Sequence, residues 1–249
     1  MKDSPIGAKP PAGGGEREAA RWVRSMFGRV AGRYDLLNHL LSFNVDRYWR
    51  RRTVRRVSHV LARPGARVVD LCCGTGDLVV ALETEHGGAV WGSDFCHPML
   101  KIAKNKIRRR GLRSVLFESD ALCLPLPDQS IDLITVAFGY RNLANYRDGL
   151  AEMRRVLRPA GVAAILEFSQ PPNPVFSRLY NLYSRRILPL VGGAVSGSKD
   201  AYTYLPESVR NFPNAEELAA QMRRVGFRDV EFERMSGGIV ALHLGVSRG

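Results

Sequence analysis

From Glu16 onward, apolar residues recur at Val23, Met26, Phe27 and Val30, the spacing of a helix with one buried face. Gly32 interrupts that stripe. Leu36, Leu37, Leu40 and Leu41 predict a second, short helix, and Trp49, Thr53, Val57 and Leu61 stripe a third, whose other faces carry Arg50, Arg51, Arg52, Arg55 and Arg56. At Pro64-Gly65 the period changes. Short apolar runs at 67–72, 89–93, 114–118, 131–137 and 162–168 read as strands, with helical stretches near 77–86, 97–111 and 145–157 between them. Such alternation predicts an α/β fold with a mostly parallel sheet covered on both faces. A last helix over 215–225 precedes strands at 230–234 and 239–246. Those two are close enough to form a hairpin, an antiparallel element at the sheet edge.

Residues 170–213 break this rhythm. They open with Pro171-Pro172, continue with a helical stripe of Phe176, Leu179, Tyr180, Tyr183 and Ile187, and pass Gly192-Gly193 to reach Tyr202-Thr-Tyr-Leu-Pro206. An insertion over the substrate end of the sheet is expected there. At the other end, Pro5, Pro10, Pro11 and Gly13-Gly14-Gly15 predict a disordered tail over 1–15 without a signal-peptide core. One domain over 16–249 is therefore expected, with a helical cap at 16–62. No repeat is visible, and no apolar run approaches the roughly 20 residues that span a bilayer. The chain reads as soluble, at most resting on a membrane surface.

With 249 residues, 45% of them hydrophobic, the chain supports a sizeable core. Cys72, Cys73, Cys96 and Cys123 have no zinc-ligand spacing and read as reduced, buried thiols of a cytoplasmic protein. The net charge of +13 is uneven: residues 1–60 hold 13 Lys/Arg against 5 Asp/Glu, and seven cations fall between Lys101 and Arg113 with no acid among them. Such basicity suits anionic lipid and nucleic acid equally.

The chemistry concentrates after the first strand, at Val69-Asp70-Leu71-Cys72-Cys73-Gly74-Thr75-Gly76-Asp77. Gly74 and Gly76 let the backbone turn sharply toward a ligand, which in an open α/β sheet binds outside the carboxyl ends of the strands. A tight strand–helix turn alone is weak evidence, but two features sharpen it. Val79 stands where the third glycine of a dinucleotide fingerprint would fall, and Asp94 ends the next strand, placed to accept both hydroxyls of a ribose. A ribose ligand without a helix-bound pyrophosphate points away from NAD and toward S-adenosylmethionine. Asp70 is placed to orient the loop or to reach a methionine amino group. Ser119-Asp120-Ala121 closes the third strand, where a side chain and a backbone N–H can read an adenine edge.

Several longer stretches then coincide with known signatures. Tyr34-Asp35-Leu36-Leu37-Asn38, Ser42 and Trp49 match Y-D-x-M-N-x-x-[LIVM]-S-x-x-x-H-x-x-W, with Leu37 in place of Met and Asp46 in place of His. Arg155-Val-Leu-Arg-Pro-Ala-Gly161 matches R-V-L-K-P-G-G, Phe138-Gly-Tyr-Arg-Asn142 matches F-G-x-R-N, Glu167-Phe-Ser169 matches E-F-S, and Tyr204-Leu-Pro-Glu-Ser208 belongs to a Y-x-Y-L-P-x-S pattern. On these residues the chain resembles the menaquinone/ubiquinone biosynthesis C-methyltransferase family over roughly residues 20–247.

The resemblance implies a class I S-adenosylmethionine-dependent methyltransferase fold, Rossmann-like, with seven strands, a helical cap and a substrate lid. It implies that Thr75, Asp94, Asp120 and Ala121 bind the cofactor, and that Ala137 stands where the family often has Ser. The implied reaction is attack of a quinol ring carbon on the sulfonium methyl, after the neighbouring ring hydroxyl loses its proton. Arg141 is the expected stabiliser of the phenolate, with Asn142 orienting; a guanidinium is too basic to be the free base. Tyr34, Asp35 and His39 are weaker candidates for which packing or capping serves as well, Tyr202 is no better, and His97 reads as a helix cap. No metal is expected.

The acceptor implied is a prenylated quinol, demethylmenaquinol before 2-methoxy-6-polyprenyl-1,4-benzoquinol. Its tail implies peripheral contact with an anionic membrane, through the 174–191 stripe and the basic N-terminal helices; a homodimer is left open. An RNA or other small-molecule acceptor and a non-catalytic cofactor-binding protein are the alternatives. Against RNA stand the lack of an N-P-P-Y/F loop and of a separate basic domain.

Overall fold

The structure is a computed structural model that describes residues 7–8, 15–183 and 199–248. The cap consists of α1 (Glu16–Val30), a 3₁₀ turn at Ala31–Arg33, α2 (Tyr34–Leu41), α3 (Val45–Arg56) and α4 (Ser58–Leu61). The single third helix read from the stripe is in fact two. Val57 leaves helical geometry (φ −104°, ψ 5°). On either side of it, the hydroxyls of Thr53 and Ser58 bond to the carbonyls of Trp49 and Arg55, a pattern that bends helices.

After the cap come β1 (Val68–Leu71), α5 (Asp77–His86), β2 (Trp91–Asp94), α6 (His97–Arg109), β3 (Val115–Glu118) and β4 (Ile131–Ala137). They are followed by α7 (Tyr146–Val156), β5 (Leu157–Phe168), α8 (Pro174–Leu182), α9 (Lys199–Asn211), α10 (Ala215–Val225), β6 (Phe227–Met235) and β7 (Val240–Ser247). The described strands form one seven-stranded sheet in the order β3-β2-β1-β4-β5-β7-β6. Neighbours from β3 to β5 are parallel, and β7 runs antiparallel to both β5 and β6. The antiparallel strand of the expected edge hairpin therefore lies second from the edge, with β6 outermost. β5 begins at Leu157 rather than 162 because Leu157 pairs with Ile131 ahead of a register shift, at which Ala160 adopts φ 62°.

Alternation along the strands builds two cores. Val68, Leu133, Ala164 and Leu166 pack with Trp49, Val57 and Leu82 on the cap side, while Val69, Leu71, Ile134 and Ile165 pack with Leu150, Met153, Leu218 and Met222 of α7 and α10. The sheet order reverses between β1 and β4, so the crevice beyond their carboxyl ends is the ligand position for an open sheet. Val23 and Met26 of α1 pack on Tyr204 of α9, which brings the cap and the insertion together at that end.

Some expectations fall outside the described residues: Pro5, Pro10, Pro11, Gly13, Gly14, Ile187 and Gly192-Gly193, together with the side chains of Leu37, Leu179 and Tyr202. Of the tail, Gly7 and Ala8 are described, and the Ala8 N–H donates to the Leu143 carbonyl at 2.8 Å. The four thiols are free, but Cys123 is exposed and Cys72 half-buried, so only Cys73 and Cys96 are buried as expected. A short loop with its own reverse turn carries Cys123 outside the sheet. No described helix is long and apolar enough to cross a membrane.

Candidate active site

The turn after β1 is held from two sides. Gly74 adopts φ +54° with no atom near a Cβ position, so its open side faces a cavity, while Gly76 at φ +83° would bring a Cβ to 3.1 Å from that of Ala103 on α6. Gly74 thus serves ligand approach and Gly76 serves helix packing. Asp94 fastens the turn, accepting from Gly74 N and Cys96 N, each at 2.8 Å. Burial raises its carboxyl to about 6 despite these bonds. Asp70 accepts from the Thr135 hydroxyl at 2.6 Å, and burial raises it to about 7. Asp120 is exposed and holds its own turn through Leu122 N at 2.9 Å.

Asp70, Gly74, Thr75, Asp94, Asp120, Ala121, Ala137, Asn142 and Tyr34 all line this one cavity; Gly76 and Arg141 do not. Its carboxylate acceptors suit the hydroxyls of a ribose and a cationic amino-acid end, since burial raises Asp70 and Asp94 above their ordinary values and neither forms an ion pair with a described residue. The thiols of Cys72 and Cys73 are pushed well up by burial and by Asp94 and Asp70, so neither is a thiolate nucleophile.

A second cavity of about 630 Å³ adjoins the first, and Phe27, Tyr34, Arg50 and Phe138 line both. Its walls are mainly apolar. Arg141 lines it and is fixed on several sides: Nη1 donates to Glu167 Oε1 at 2.8 Å and to the Phe138 carbonyl at 2.5 Å, Nε to Ser208 at 3.3 Å, and the guanidinium lies over Phe168. None of these bonds uses Nη2. Burial works against the charge, but Glu167, Tyr34 and Tyr204 together outweigh it, and Arg141 is held above its ordinary value. The turn carrying it is pinned by Tyr140, whose hydroxyl donates to the Tyr146 carbonyl, and by Tyr146, whose hydroxyl donates to the Arg141 carbonyl. Asn142 points its Oδ1 to the Tyr204 hydroxyl at 3.1 Å. Successive residues of one turn thus serve the two cavities.

Burial pushes the Tyr34 phenol up against the pull of Arg141. Asp35 and His39 belong to neither cavity lining. Asp35 binds Thr75 Oγ1 at 2.5 Å and Lys106 Nζ at 2.8 Å, bracing the cofactor turn. His39 Nδ1 lies 2.9 Å from Asp46. His97 pairs with Glu118 at 3.0 Å, and its own helix is capped at Cys96.

Sequence reading missed three things here. Arg50 sits at the junction of the cavities, but in the sequence it is one arginine in a run. Ser169 lines the second cavity with a buried hydroxyl that has no partner among the described residues. Cys72 and Phe138 both adopt left-handed backbone (φ 51° and 60°) where β1 and β4 end, a strain of about 1–3 kcal/mol each that persists only where packing enforces it. A Cβ on Gly139 would lie 2.3 Å from that of Cys72, so the two turns are in contact.

The ubiE/COQ5 methyltransferase family model matches residues 15–247. The demethylmenaquinone methyltransferase of Thermus thermophilus is 48% identical over 88% of this chain and 99% of its own length. The ubiquinone/menaquinone biosynthesis C-methyltransferase UbiE of Geobacter sulfurreducens is 42% identical over 92% and 89%. Among solved structures, an S-adenosylmethionine-dependent methyltransferase from Aquifex aeolicus superposes with a TM-score of 0.57 at 21% identity, covering 78% of this chain and 88% of that one. This last likeness concerns the fold alone.

Proposed function

The chain belongs to the ubiE/COQ5 methyltransferase family and is an S-adenosylmethionine-dependent methyltransferase, and from that premise we propose that it methylates a ring carbon of a prenylated quinol, demethylmenaquinol before the methoxy-benzoquinol. The observation that carries this reading is the large apolar cavity joined to the cofactor cavity and furnished with buried polar groups, among them Arg141 and a Ser169 hydroxyl that has no partner among the described residues. A para-quinol has two oxygens and an apolar body, and it fits that pattern. The names of the relatives at 48% and 44% identity favour demethylmenaquinol.

Bound over the Gly74 turn, the cofactor supplies an electrophilic methyl group. Arg141 stays charged and stabilises the ring oxygen as it loses its proton to water, while Glu167 and Ser208 keep the guanidinium from turning away. Tyr34 stays protonated at the junction and serves as a donor. Phe27 and Phe138 narrow the passage and limit water around the reacting carbon.

A prenyl tail requires a lipid-facing mouth. Phe43 is 74% exposed, adopts φ 51° and lines the second cavity, and Leu36, Leu40 and Tyr48 are exposed on either side of it in sequence. Arg47, Arg51 and Arg55 line a shallow groove on α3 beside Tyr48 and form no ion pair with a described residue. Apolar side chains flanked by unpaired cations suit an anionic leaflet. Two tests apply. Activity on the two quinols compared as kcat/KM should favour demethylmenaquinol, and equal or reversed preference contradicts the choice of ring. Co-sedimentation with vesicles should require anionic lipid and weaken in Leu36→Ser/Leu40→Ser; binding indifferent to lipid charge contradicts the docking.

A further inference from the structure

The cofactor cavity is lined by four carboxylates, those of Asp70, Asp77, Asp94 and Asp120, and among its described lining residues by one cation, Arg50. S-Adenosylmethionine carries an ammonium, a sulfonium and two ribose hydroxyls, all served by acids, and one carboxylate that acids repel. Other nearby cations are engaged. Lys106 is bound to Asp35 and Asp77, and Arg141 belongs to the second cavity on Glu167.

Arg50 is preset for an anion. Its Nη1 donates to Asp46, and that bond leaves Nε–H and Nη2 free of hydrogen bonds to described residues. Its guanidinium lies 5.4 Å from the centre of the Phe138 ring. Asp46 is itself fixed by the Ser42 hydroxyl at 2.7 Å and by His39 Nδ1 at 2.9 Å. Burial pushes its carboxyl up, but Ser42, Arg50 and His39 together hold it below the ordinary value, so it stays an anion facing Arg50. Arg50 and Asp70 line the same cavity, and the positive charge of Arg50 acts on Asp70 against the upward push of burial. Guanidinium is suited to the task because it keeps its charge when buried and offers a planar pair of donors to a carboxylate.

We propose that Arg50, braced by Asp46, binds the carboxylate of the cofactor's methionine end, opposite Asp70, which takes the ammonium. The exchange of His for Asp at position 46 then has a structural meaning. The carboxylate holds the arginine, and is itself held by His39 on the preceding helix.

The test is calorimetric binding of S-adenosylhomocysteine and of its decarboxylated analogue, with no acceptor present. For Arg50→Gln, affinity for S-adenosylhomocysteine should fall about 10- to 100-fold, the range of a hydrogen bond to a charged group. Affinity for the decarboxylated analogue should stay within about twofold of wild type, which also shows that the variant is folded. Asp46→Asn should give a smaller fall confined to the carboxylate-bearing ligand. If Arg50→Gln does not fold, Arg50→Lys serves the same comparison, since it keeps the charge and loses the fork, and the preference for S-adenosylhomocysteine should drop. Equal losses for both ligands, or an unchanged preference in the variant that folds, overturn the proposal.

Discussion

Arg141 and Glu167 form a pair in which both side chains are almost wholly buried, so activity and stability must be separated before either is assigned to the arginine. Removing the cation alone leaves a buried carboxylate unpaired, at a cost of about 3–5 kcal/mol. Arg141→Met should therefore lower the melting temperature, and Arg141→Met/Glu167→Gln should recover most of it. Neither should recover activity: kcat is expected to fall about 10²–10³-fold in both, with S-adenosylhomocysteine affinity nearly unchanged. A double variant that regains activity along with stability would make the arginine merely structural. At this scale the places of Asp70, Gly74 and Asp94 in the cavity were legible because each lies at or just past the end of a strand in a repeating βα pattern. Glu167 behind Arg141, Asp46 behind Arg50 and the buried Ser169 hydroxyl were not, because their meaning depends on partners or cavities that only the folded chain brings near.

The helices and strands were legible wherever the apolar period ran uninterrupted. Helix α10 begins and ends where the sequence places it, because Asn214 and Glu217 form a reciprocal cap and Gly226 ends the helix at φ 104°. Asn214→Ala should cost about 1 kcal/mol, read as a lower urea midpoint at unchanged slope. An unchanged midpoint would mean that packing against β6 and β7 alone sets this helix. The break at Val57 and the early start of β5 escaped the pattern, since side-chain-to-carbonyl bonds and a left-handed Ala160 leave no trace in hydrophobic period. The inner place of β7 escaped it for another reason: a hairpin fixes which strands pair with each other but not which of them meets the rest of the sheet.

For the whole molecule, the charge distribution and the two raised carboxylates set the pH response. Asp70 and Asp94 stand at about 7 and about 6 because burial disfavours their anions. Their share of the free protein's stability is thus present below ordinary carboxylate values and lost as pH rises through 6 to 7. A ligand ammonium reverses the preference for the neutral acid, so cofactor binding releases protons. S-Adenosylhomocysteine affinity should tighten as pH rises from about 5 to about 8, and Asp70→Asn should flatten the rise. An equally steep rise in that variant would place the titration elsewhere. His243 works in the opposite direction on the free protein. Burial holds it neutral, down to about 4, and the stability it lends is lost as pH falls from its ordinary value through that point.

The measurement that bears most directly on the function is transfer of a labelled methyl group from S-adenosylmethionine to reduced demethylmenaquinone in detergent, with the product ring analysed for a new carbon-bound methyl. The expected result is ring methylation by the wild type and none above background by Arg141→Met/Glu167→Gln at equal cofactor occupancy. Absence of transfer by a wild-type protein that binds S-adenosylhomocysteine, or a label found on oxygen rather than carbon, would contradict it.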